Sequence, residues 1–208
     1  MEYWKPETES PELEFVLQNW GLETVKRSFE ISEWEVENNN IHRYSVVPHE
    51  YFHVYQISHA DLSGLKWLME GPAATLESIY VQEHYGIDYF SEAQAPFLSE
   101  LVLESPSLYE SFTESGESDG NYSGSVFLTL ILAEELQRQG FSESKAYRMI
   151  MRDFFQAGPN LDNWKTTFAE IFAMSLSSFY SKIRNYNLSY EGLLPSEELT
   201  ISKIFTSQ

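Results

Sequence analysis

The 208 residues predict a single, predominantly helical α+β domain: a small β-element, then a pair of helices bearing the chemistry, then a C-terminal helical lobe. Three observations carry this reading. Apolar residues recur at helical spacing over most of the chain beyond Pro48, and the run Ile41 to Val47 is rich in strand formers. A content of 42% apolar and 15% aromatic residues is ample for one core.

Residues 1–47 are expected to hold an N-terminal helix and short strands. The first ten are polar, and Leu13, Phe15, Val16, Trp20, Leu22 and Val25 suit a helix, or one broken at Gly21. Alternation at Phe29/Ile31 and Trp34/Val36, with the run Ile41 to Val47, predicts two strands joined through Asn38-Asn39-Asn40. Pro48 suits the first turn of a helix and disfavours helical geometry at Val47, so a helix is expected from Pro48 to Ser58. The stretch His59 to Gly64 reads as a turn. A second helix over Leu65 to Tyr85 must start near Glu70 if Pro72 is to be tolerated, and residues 48–85 thus form a helix pair. Residues 86–120 are loop-rich, end in Glu114-Ser-Gly-Glu-Ser-Asp-Gly120, and are able to lie over a cleft. Residues 121–190 form the helical lobe, with helices over Val126 to Gln139, Glu143 to Ala157 and Trp164 to Asn185. Residues 191–208 read as a tail, polar from about Pro195.

Charge and composition narrow the function classes. Thirteen basic against 32 acidic residues give a formal charge of −19, which repels nucleic acid and anionic membrane. Cysteine is absent, so a zinc ion can be held only by His, Asp and Glu. No run of 18 apolar residues exists, and Met1 to Glu12 lack the basic and apolar regions of a signal sequence. The expectation is a soluble chain of unassigned compartment, secreted or periplasmic if a signal peptide has been removed.

One stretch names a chemistry. In His49-Glu50-Tyr51-Phe52-His53 two imidazoles stand four apart, which on an α-helix places them only about 40° from each other around the axis. Both rings can reach one metal ion, while Glu50 points to the flank, where it can hold a metal-activated water without ligating the metal. A third ligand is needed, and two candidates exist. Glu70 lies 17 positions beyond His53, enough for the chain to turn and bring an antiparallel helix back against the same face. Gly71 and Ala73/Ala74 would allow close approach of the two helices. The rival is His59, six positions after His53, at the spacing of the metzincins. That geometry needs a sharp break, normally at glycine, where this chain has Gln56. If the helix continues, His59 lies about 240° round from His53 and faces away.

His49-Glu50-x-x-His53 followed by Trp67-Leu-x-Glu70-Gly-x-Ala resembles the gluzincin metallopeptidases, the group of thermolysin-like and aminopeptidase-N-like zinc enzymes. Asn121-Tyr122-Ser-Gly124 and Phe168-Ala-Glu-Ile-Phe172 with Ser175-Leu176 and Phe179 are similar to the helical lobe of the aminopeptidase-like members. The resemblance covers about residues 44–186. It implies zinc held by His49, His53 and Glu70, Glu50 as general base, Tyr122 as oxyanion donor, and a peptide or protein substrate. Two departures stand out. The glycine after Tyr122 comes one residue early, and no glycine-x-methionine-glutamate-asparagine motif lies upstream, which disfavours an aminopeptidase against a general or endo-acting enzyme. About 48 residues precede the motif, so the chain is either a compact relative or a fragment. In a compact relative, Ile41 to Val47 would serve as the edge strand that aligns substrate.

Glu77, two turns beyond Glu70, is a candidate to orient an imidazole. His42 and His84 receive no role. Alternatives stay open: a catalytically inactive gluzincin-like binding or scaffold domain, a metzincin-type peptidase using His59, and a purely structural helical domain. A di-iron carboxylate protein would need a second Glu-x-x-His, which the sequence lacks.

Overall fold

The computed structural model describes residues 16–20, 24–28, 42–112 and 119–206, and these are predominantly helical. Strands β1 (Val16–Trp20) and β2 (Thr24–Ser28) pair antiparallel, with Val16 opposite Ser28 and Trp20 opposite Thr24. They fall where the sequence predicts a helix over Leu13 to Val25. Period alone misassigns such a short run of alternating apolar residues. The strands expected at Phe29/Ile31 and Trp34/Val36 lie outside the described residues.

Of the run Ile41 to Val47, expected as an edge strand, residues 42–47 are helical, and Ile41 lies outside the described residues. Helix α1 spans His42–His59 and so begins six residues before Pro48. The β-branched residues are overridden by tertiary packing, because His42, Ser45, Val46 and His49 line one cavity along one side of the helix. Helix α2 spans Lys66–Tyr85, with Pro72 in its interior rather than its first turn. Gly86 ends it in the left-handed conformation, its N–H donating to the Gln82 carbonyl.

Pro72 is accommodated by a neighbour. Proline has no N–H for the carbonyl four residues back and its ring crowds that carbonyl. On α1, the buried Gln56 amide donates to the Met69 carbonyl at 2.9 Å and reaches the Leu68 carbonyl at 3.5 Å. A side chain from one helix thus supplies what the other lacks.

Residues 87–112 are more ordered and more buried than a loop over a cleft. They form short helical turns at Phe90–Gln94, Ala95–Phe97, Leu101–Glu104 and Pro106–Glu110, and Phe90 and Val102 are completely buried. Helix α3 (Asp119–Arg138) then crosses the molecule as its central rod, with Val126, Phe127, Leu128, Leu130, Ile131 and Leu132 all fully buried. A helix apolar on all sides is one surrounded by others. Close approach of α2 and α3 depends on Gly71. A Cβ there would lie 2.3 Å from the Ser125 carbonyl oxygen and 2.5 Å from Thr129 Oγ1. The sequence assigns Gly71 to the contact between α1 and α2; it serves the other face of α2.

Helix α4 (Glu143–Arg148) runs on through a π-helical turn, Met149–Asp153, into Phe154–Gln156. The single helix expected over Trp164 to Asn185 is two, α5 (Trp164–Phe172) and α6 (Leu176–Ile183). Ala173 takes a left-handed φ of 52°, and Ser175 caps α6 by accepting the Ser178 N–H. The tail is not unstructured to its end. Helix α7 (Ile201–Phe205) buries Ile204 fully and sets Phe205 against Phe52 and Tyr55 of α1. Arg148 and Arg152 donate to its last carbonyls, those of Lys203, Ile204 and Phe205. No helix among the described residues is long and apolar enough to cross a membrane.

Candidate metal centre

Helices α1 and α2 bring His49, His53 and Glu70 to one point. His49 Nε2 and His53 Nε2 are 3.0 Å apart, and Glu70 Oε2 lies 3.4 Å from the first and 3.1 Å from the second. Ligands of a tetrahedral ion with bonds of about 2.1 Å stand about 3.4 Å from one another. The triangle is slightly tighter than that, and a small adjustment opens it to fit. The donor set is also the right kind, since three lone-pair atoms converging in a buried space need a shared proton or a cation between them.

The outer edges of both imidazoles are held. Glu77 Oε2 stands 3.1 Å from His49 Nδ1, and Gln56 Oε1 stands 2.6 Å from His53 Nδ1. Each contact fixes the proton on Nδ1 and turns the Nε2 lone pair inward. Glu77 is only 7% exposed, so it is no solvated helix residue. Gln56 was missed as a functional residue. Its signal was present, three positions beyond His53 on the same helix, but its second duty depends on the open carbonyls before Pro72.

Burial acts on three of the groups here. For Glu70 burial alone would raise the pKa, yet the charge on His53 and hydrogen bonds from both imidazoles hold the carboxyl well below its usual range. Burial would lower the His49 pKa, but Glu77 and Glu70 raise it well above the ordinary imidazole value. Glu50 shows the opposite balance. Burial pushes its carboxyl up, and the two imidazoles only partly offset that. His49, Glu50 and His53 can also present one ligand atom each within 4.8 Å of one another, but Glu70 makes the tighter set.

A cavity of about 280 Å³ opens beside His49 and Glu50. Its far wall carries Tyr89, whose hydroxyl meets His42 Nδ1 at 2.6 Å and Ser45 Oγ at 3.0 Å. Gln94 also lines it, with its amide toward Glu77 at 3.4 Å and its carbonyl accepting the Ser123 hydroxyl. Tyr122, on the first turn of α3, lines the same cavity with its ring centroid 6.4 Å from that of His49. Sequence reasoning gave His42 no role, yet it belongs to this wall. Gly124, the glycine of the Tyr122 motif, gives space to the Tyr109 ring, which a Cβ would meet at 2.1 Å.

The structure does not bring His59 to this set. Helix α1 continues through Gln56, and His59 ends it exposed, with Nδ1 3.0 Å from the Tyr55 carbonyl and its ring against Tyr55. The break that a metzincin arrangement requires at Gln56 does not occur. His84 is exposed beside Tyr80.

Comparison of the chain with protein-family models, with curated proteins and with solved structures found no match.

Proposed function

We propose that this chain is a zincin-like α+β domain that hydrolyses peptide bonds with a zinc ion held by His49, His53 and Glu70. The observation that carries the proposal is the convergence of His49 Nε2, His53 Nε2 and Glu70 Oε2 within 3.0–3.4 Å, with Glu50 on the flank of the same helix turn. The ion, when bound, supplies Lewis acidity and brings the pKa of a bound water toward neutrality.

The protein groups do the rest. Glu50 takes a proton from the attacking water and delivers it to the departing amine, which completes cleavage of the C–N bond. Burial suits it to both acts, since a carboxyl with a raised pKa is a stronger base and holds the proton longer. Tyr122, on the cavity wall, donates its hydroxyl to the oxygen that gains charge as the carbonyl becomes tetrahedral. Glu77 and Gln56 keep the imidazoles oriented throughout.

Metal analysis of the purified protein beside its Glu70→Ala variant is the direct test. The unaltered protein should bind one zinc per chain and the variant should lose it. Full stoichiometry in the variant would remove Glu70 from the ligand set and return the family reading to the His49/His53 pair alone.

A further inference from the structure

We infer that the cavity beside His49 and Glu50 selects peptides whose residue next to the cleaved bond is cationic or neutral, and excludes those with a carboxylate there. The inference rests on the peptidase reading and names its substrate class.

Among the described residues the cavity is lined by two carboxylates, Glu50 and Glu77, and by no lysine or arginine. Glu70 stands just behind His49. With neutral imidazoles, three carboxylates against one divalent cation leave the reaction centre short of neutrality by one negative charge. A substrate carboxylate entering this small space meets net repulsion with no lysine or arginine to receive it, whereas an ammonium or guanidinium meets attraction. The remaining wall favours the same ligands. The half-buried Tyr122 ring lines this wall, and a cation over an aromatic face is attracted by the ring quadrupole.

Several basic residues among those described are engaged elsewhere. Lys145 and Arg152 pair with Asp153, Arg138 and Lys182 with Glu135, and Lys165 with Glu110. Lys66 lies over the Phe112 ring, which packs edge-on against Tyr122, so its charge stands one ring removed from the cavity. The net charge of −19 adds a long-range field that draws cationic peptides in and slows anionic ones. Ala93, half-buried on the cavity wall and bearing no catalytic group, is the place to invert this field.

The test uses the zinc-loaded unaltered protein and fluorescent hexapeptides whose central amide is replaced by a non-hydrolysable ketomethylene and that differ only in carrying Lys, Gln, Leu or Glu at either central position. Binding is read by anisotropy at low and high salt. At low salt the best Lys peptide should bind at least about tenfold more tightly than its Glu counterpart. Raising the salt should narrow that gap. Ala93→Lys, in the same background, should narrow or reverse it. Equal or tighter binding of the Glu peptides overturns the inference, as does an unchanged ratio in Ala93→Lys protein, and failure of every peptide to bind overturns it with the peptidase reading. Hydrolysis of the corresponding amide peptides by the same protein separates the two ideas. Cleavage without charge preference removes the selectivity and keeps the peptidase; charge-selective binding without cleavage does the reverse.

Discussion

Among the described residues, two groups of buried charge solve the same problem differently. Glu135 on α3 is 3% exposed, and both of its oxygens meet fixed donors. Lys182 contacts Oε2, while Oε1 accepts from Arg138 at 3.1 Å and from the Tyr186 hydroxyl at 2.7 Å. That cluster is closed, and nothing further is needed to neutralise it. At the centre between α1 and α2 the partners of the carboxylates are imidazoles, whose Nε2 atoms point at each other and at Glu70. A carboxylate matched by permanent cations is a brace, and one matched by groups that are themselves lone-pair donors invites an ion from outside.

The sharpest way to break the contrast is Glu50→Gln. Peptide hydrolysis should fall by about 10²–10⁴-fold while zinc stoichiometry is kept, because the general base is lost and the ligands are not. Turnover and metal content measured on one preparation decide it, and a variant as active as the unaltered protein ends the assignment of Glu50. Next in size, Glu77→Gln and Gln56→Ala should each weaken zinc binding by about 10–100-fold, read by competition with a chromogenic chelator. Gln56→Ala should also lower stability, since it removes a buried hydrogen bond to the Met69 carbonyl and the contact to the Leu68 carbonyl that Pro72 leaves without a helical donor.

At the brace the signature is inverted. Glu135→Gln should cost about 2 kcal/mol in denaturant unfolding, given that Lys182 is partly solvated, and leave zinc affinity untouched. The smallest effect concerns pH. Burial would raise the Glu135 pKa, but Lys182, Tyr186 and Arg138 hold it below the usual carboxylate value in the folded state. Its contribution is therefore complete above the ordinary carboxylate pKa of about 4.3 and is lost as pH falls through the lower folded value. The difference in unfolding free energy between the unaltered protein and Glu135→Gln should hold from neutral pH to about pH 5 and narrow progressively as the pH is taken below about 4.

The same contrast explains what the sequence could reveal. His49, His53 and Glu70 were legible because their meeting needs only a four-residue helical spacing and an antiparallel return. Glu77 followed from the same helix geometry. Gln56 was read only as the absence of a turn, since its role requires knowing that Pro72 sits inside α2 and opens carbonyls toward α1. Tyr89 and His42 come together across 47 positions, which no local pattern encodes. Helix α7 was hidden for a similar reason. Its few apolar residues form a helix because Phe52 and Tyr55 receive them and two arginines close its end. The strand propensity of residues 42–47 misled because it measures fit to a pleated surface, and this segment lies along a cavity instead.

The missing N–H of Pro72 has one more consequence. By holding Gln56 to the carbonyls of one turn of α2, it keys the axial register of the two helices that carry His49, His53 and Glu70. A slide of a single residue, about 1.5 Å, would break that key and carry Glu70 away from both imidazoles at once. On the proposed reading, an arriving ion would meet three donors already gathered rather than having to gather them.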